Sequence, residues 1–291
     1  MRTKTLLLQA AIAATAMTTL LTGCNNDNND APREASKYIT IDAAVGTLTR
    51  ATATAFAPGD QVSIYAWTGS NNAVPAQRVV DNAVNTLGTD GTQWTATPQM
   101  LWQDATTAHY FIGVHPVKTI TDFTADAYAD TPDLLVATSL GDGRKATDGN
   151  GIVPLMFDHV MAKLMVNLTF RNQFGGTPTA ESVTVGAQPG ANVNYLTKTA
   201  TPAGTATIVA MTAATANIAY VRILAPQPIR TITITIGGKA YVYNHATDFA
   251  LAAGKIQTVN LIVGRDEITL GSVAINDWIT GESIDGGEAV D

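Results

Sequence analysis

The chain has one cysteine in 291 residues, Cys24. No disulfide within it can restrict the unfolded state, so its stability has to come from buried side chains. Charge is also scarce: Asp, Glu, Lys and Arg make up 14% of the residues, against about a quarter in ordinary soluble domains. Thr, Asn, Gln and Ser must therefore cover much of the surface. The balance is acidic, at −7, with no Lys/Arg cluster, which argues against nucleic acid or an anionic lipid surface as partner. The four histidines, His109, His115, His159 and His245, stand apart, with no HExxH pair and no second thiol. No metal site and no cofactor is expected. A G-x-S-x-G elbow and a P-loop are both missing. Paired carboxylates acting on a glycosidic bond have no fixed spacing and stay open; beyond that, no catalytic residue can be named.

What is present begins with an export pattern. Arg2 and Lys4 precede an apolar run from Thr5 to Leu21 that contains no acidic residue, the layout of a signal peptide over residues 1–23. It leads into Leu21-Thr22-Gly23-Cys24, which resembles the lipobox of bacterial lipoproteins and implies acylation of Cys24. The competing readings are a spanning helix and a signal peptide cut without lipidation. Against the former, the stretch barely reaches spanning length, and Thr18, Thr19 and Thr22 dilute its end. Residues 24–37 are polar and aperiodic, the composition of a tether. A calcium loop in its Asn/Asp run lacks the closing bidentate Glu.

From Tyr38 onward the period is two. Ile39, Ile41, Ala43 and Val45 alternate with Thr40, Asp42 and Ala44 up to Gly46, as in a half-buried strand. A small-residue connector with Arg50 follows. Pro58-Gly59-Asp60 then turns the chain into Val62 to Trp67. Further strands are expected at Trp94 to Trp102, His109 to Val114, Leu134 to Ala137, Met161 to Phe170, Val183 to Val185, Tyr220 to Leu224, Ile229 to Ile236, Ala240 to Tyr243, Ile256 to Val263 and Ile268 to Ile275. Gly237-Gly238 reads as a two-residue hairpin turn. Helical period is weak, at Thr121 to Ala129 and a single turn at Asp158 to Met161. The pattern predicts an all-β chain with two tandem β-sandwich domains, residues 51–174 and 175–291, preceded by a strand and connector over 38–50.

Four phrases in order resemble the fimbrillin family, subunits of type V pili of Bacteroidales. They are the lipobox at Cys24, Thr49-Arg50-Ala51 after a strand, Pro58-Gly59-Asp60-Gln61-Val62-Ser63-Ile64-Tyr65, and Val153 to Leu164, which contains F-x-H-x-x-A-K-L at residues 157–164. The ending Ile275-Asn276-Asp277-Trp278-Ile279-Thr280-Gly281 also resembles theirs. The resemblance implies transthyretin-like sandwiches and a lipid-anchored precursor at the outer membrane. It also implies cleavage by an Arg-specific protease between Arg50 and Ala51, departure of the strand bearing Ile39, Ile41, Ala43 and Val45, and its replacement by a neighbour's donor strand. The candidate donor carries Ile268, Leu270, Val273, Ile275 and Trp278. Implied partners are other fimbrial subunits, alike or different, with room for a host or bacterial surface ligand.

The physics of edge strands makes such an exchange reasonable, because a removed strand leaves unpaired backbone groups and a bare apolar row. His159 is read as structural, holding a turn ahead of the Met161 strand. A non-polymerising tip or anchor component is one alternative. Another is a monomeric surface lipoprotein that binds glycan through aromatic platforms, with Trp67, Trp94, Trp102 and Trp278 as candidates.

Overall fold

The computed structural model describes residues 36–46, 55–129, 133–266 and 268–278, all within one compact unit, Glu34–Asp291. The signal segment, Cys24, most of the tether, Arg50, Ala51 and Ile279 lie outside the described residues. The chain is all-β. Its strands are β1 (Thr40–Val45), β2 (Gln61–Thr68), β3 (Val80–Leu87), β4 (Trp94–Thr97), β5 (His109–His115), β6 (Asp126–Tyr128), β7 (Leu135–Arg144), β8 (Ile152–His159) and β9 (Ala162–Phe170). There follow β10 (Ser182–Ala187), β11 (Gly190–Asn194), β12 (Thr199–Ala203), β13 (Thr207–Ala210), β14 (Thr212–Thr215), β15 (Ala219–Leu224), β16 (Pro228–Ile236), β17 (Lys239–Ala250), β18 (Lys255–Val263) and β19 (Ile268–Asp277).

Seven strands form one sheet in the order β1-β8-β7-β5-β2-β3-β4. One face encloses Val62, Ile64, Phe111, Val153, Leu155 and Phe157 together with the β1 row. The other packs Tyr65, Trp67, Ile112 and Val114 against a three-stranded sheet, β12-β11-β6, through Tyr128, Val193 and Tyr195. Strand β2 is thus buried on both faces, which is why its sequence reads as a continuous apolar run rather than an alternation.

The later strands make two further sheets, β13-β10-β16-β17 and β14-β15-β9-β18-β19. These enclose a separate core of Leu164, Val166, Val185, Ile232, Ile234, Val259 and Leu261. Strand β9 belongs to this core although it precedes residue 174, while β11 and β12, which follow it, pack with β6 on the first sheet, so the sheets interleave along the chain. The reason is that the alternating apolar row of β9 is covered by β10 and β16, not by the first sheet. Gly237 and Gly238 form the β16–β17 turn with positive φ at both residues (56° and 74°), as a two-residue hairpin with matched twist requires.

Three local expectations are corrected. Thr121 to Ala129 is not helical: Asp122 caps a turn by accepting from the Thr124 and Ala125 N–H groups, and β6 follows. Asp158 to Met161 forms no helical turn, since Asp158 and His159 end β8. The strand expected to reach Trp102 stops at Thr97, where Pro98 supplies no donor.

Candidate assembly site

Strand β1 is an edge strand laid parallel to β8, with Ile41 opposite Val153, Ala43 opposite Leu155 and Val45 opposite Phe157. Ile39, Ile41 and Val45 are 1%, 3% and 7% exposed, Ala43 is half-buried, and Thr40, Asp42 and Ala44 face solvent. Burial of three large aliphatic side chains contributes about 5–9 kcal/mol. β8 meets β7 only through Phe157, Asp158 and His159. Residues 152–156 of β8 therefore take their ladder partners from β1 alone, and Pro154 among them has no N–H to offer. Just beyond β1, the Gly46 N–H donates to the Phe157 carbonyl at 2.9 Å. After the connector, the Phe56 ring meets Trp94 and Phe157 edge-on, both at 5.2 Å, and pins the chain there.

The start of β1 is held from its other side. Tyr38 bridges Leu101 antiparallel, the Ile39 N–H donates to Met100 O at 3.1 Å, and the Trp102 N–H donates to Lys37 O at 3.3 Å. The Trp102 indole Nε1–H donates to Tyr38 O, also at 3.1 Å. Behind Trp102 stands His109, edge-on at 4.9 Å. Its Nε2 accepts from the Gln103 N–H at 3.1 Å and its Nδ1 faces Thr107 O at 2.9 Å, the pattern of a neutral ring with the proton on Nδ1. Burial lowers the pKa of His109 below its ordinary value.

At the far end of the chain β19 is also an edge strand, antiparallel to β18. Leu261 faces Leu270, Val259 faces Val273 and Gln257 faces Ile275, with a register shift between Asn260 and Leu261. That bulge takes up Gly271. It puts Ile268, Leu270, Val273 and Ile275 on the face shared with the buried Val259 and Leu261, although a strict period of two would split them between faces. A Cβ at Gly271 would come within 3.3 Å of Asn260 O, so glycine suits the bulge. The row runs past its cover: Leu270 and Val273 are 38% exposed and Ile275 is 61% exposed, even though the same face of β18 is closed over.

Trp67, Trp94 and Trp102 are buried, and Trp278 is stacked on His159, so the four tryptophans do not present a shared aromatic platform for a sugar ring. His115 faces Gln61 O and His245 faces Thr247 O; among the described residues the histidines are dispersed. Sequence reasoning missed Trp102 and His109 as the clasp on β1, because their contacts span 64 residues of chain to Tyr38 and carry no local signature. It also missed that His159 and Trp278 meet, although both phrases had been singled out.

Fold and site together define a class: an all-β protein of packed sheets whose first described strand is a separately held edge element and whose last described strand carries a partly uncovered apolar row. The sequence pattern of the fimbrillin-like family matches residues 49–278. The chain therefore belongs to the fimbrillin-like family, and is related to the subunits of cell-surface fimbriae. No curated protein matches it. Among solved structures, a candidate cell adhesion protein from Bacteroides uniformis is similar at 18% identity and TM-score 0.63, covering 83% of this chain and 98% of that one. A second from Bacteroides ovatus is similar at 16% and 0.61, covering 85% and 100%. A third from Parabacteroides distasonis is similar at 10% and 0.50, covering 85% and 99%. The fold is common to them.

Proposed function

We propose that this chain is a structural subunit of a surface fimbria, exported as a lipoprotein through Cys24, cut between Arg50 and Ala51, and polymerised by donor-strand exchange in support of adhesion. Its partners are other fimbrial subunits and an Arg-specific protease, with the outer membrane holding the precursor by its lipid. One observation carries the reading: an apolar row faces inward at the first strand, with Ile39, Ile41 and Val45 buried and Ala43 half-buried, and a row of equal length is left partly bare on the last (Ile268, Leu270, Val273, Ile275).

The energetics support it. Losing β1 exposes the Val153, Leu155 and Phe157 side of the groove and frees the ladder groups of residues 152–156. A strand from another copy recovers both terms, with each backbone hydrogen bond adding about 0.5–1.5 kcal/mol net. Head-to-tail donation has no closing symmetry, so it builds a fibre.

The test is to treat residues 25–291 with an Arg-specific protease, map the new amino terminus and run an unboiled SDS gel. A terminus at Ala51 with a ladder of oligomers is the expected result. A resistant Arg50, or a cut that leaves only monomer, replaces the stalk reading with an anchor or a tip.

A further inference from the structure

The end of β19 is fastened by side chains that strand exchange itself does not require. The Trp278 indole stacks on the His159 imidazole at 4.5 Å between centroids and 11° between planes. The Lys163 ammonium lies 5.9 Å from the same indole. The Trp278 N–H donates to Gly254 O at 3.0 Å, and the Gly254 N–H donates to Met161 O at 2.9 Å. His159 is itself oriented by Asp133, whose Oδ2 pairs with its Nδ1. The ring is largely covered, with 9% of the side chain exposed, and its Nε2, like Oδ1 of Asp133, has no hydrogen-bond partner among the described residues. His159 is the last residue of β8, two positions beyond Phe157, which pairs with Val45. One short phrase, Phe157 to Lys163, thus touches β1 at its start and the end of β19 at its middle and close.

We infer that His159 is a positioning residue, a latch that holds the carboxyl-terminal strand on its own chain by stacking on Trp278. The contact suits a latch because it is flat and apolar. It carries no hydrogen bond between the two rings, and aromatic stacking is weak enough to open without unfolding a core. The ammonium of Lys163 adds an electrostatic attraction to the indole face. Apart from this latch β19 is held by the ladder to β18, by side-chain bonds from Gln257 to Ala274 O and from Asn260 to Ser272 Oγ, and by Ile268 on the later core. Its far end, with Val273 and Ile275, lies nearest the latch, so the latch sets how often that end swings free. What the strand does once free rests on the strand-exchange reading above; the latch does not.

The experiment is hydrogen–deuterium exchange read by mass spectrometry on uncut residues 25–291, comparing His159→Ala, His159→Phe and Trp278→Ala with the parent. His159→Ala and Trp278→Ala should speed exchange in peptides covering 268–277 by about three- to tenfold, the range set by a lost aromatic pair, with β2 and β5 unchanged. His159→Phe keeps a flat ring and should restore the parent rate. Unchanged exchange at β19 in both alanine variants overturns the latch, and so does an equal rise across every strand. If His159→Ala does not fold, Trp278→Ala decides alone. Each variant is then cut and run on the unboiled gel. Faster β19 exchange with no ladder in any protein, the parent included, upholds the latch while removing the strand-exchange reading.

Discussion

His109 has no solvent contact and is neutral, and the ring it supports, Trp102, holds Lys37 and Tyr38 at the start of β1. Its folded pKa lies below the ordinary 6.5 because burial disfavours the charged ring. As pH falls below that ordinary value, the unfolded chain takes up a proton that the folded chain refuses, so stability drops from there down towards the folded pKa. The urea midpoint of residues 25–291 should accordingly be lower at pH 5 than at pH 7.5. His109→Gln should remove the share of that difference due to this ring. The same side chain shows why single residues were hard to read in advance: a lone histidine in an apolar strand carries no mark of the indole it will meet. Arg50 is the reverse case, singled out by the resemblance of the phrase around it to the fimbrillin family and lying outside the described residues.

At the scale of elements, β1 and β19 are both edge strands with apolar rows, and they differ in cover. Ile41 is buried against β8 and the core, so Ile41→Ala should cost about 2–5 kcal/mol in urea unfolding of the uncut protein. Ile275 is 61% exposed, so Ile275→Asp should change the stability of the uncut monomer by no more than about 0.5 kcal/mol. If the proposed strand exchange holds, the same substitution should abolish the ladder after Arg-specific cleavage, because a carboxylate would enter the groove left by β1. β1 was legible because its alternation is unbroken from Ile39 to Val45. The row on β19 was legible as a set of residues, whereas its sharing of one face depends on the bulge at Gly271. Strand β8 went unread because Pro154 interrupts it, and it tolerates that proline because residues 152–156 pair only with an edge strand.

For the whole molecule, every described strand has its place in a sheet of its own chain, and on the proposed strand-exchange reading cleavage is the step that would make the chain incomplete. On that reading Arg50→Ala should leave the protein monomeric and unladdered after protease treatment, with its urea midpoint unchanged; gel and midpoint together check it. The sequence alone determined the all-β class, the first strand's inward face, the hairpin at Gly237-Gly238 and the likeness to fimbrillins, since all of these follow from period, turn chemistry and ordered local phrases. Tertiary structure alone decided that β9 joins the later sheets, that Trp102 and His109 close over β1, and that Trp278 comes to rest on His159. Those outcomes depend on which apolar face finds cover from residues far away in the chain, and no local pattern carries that information.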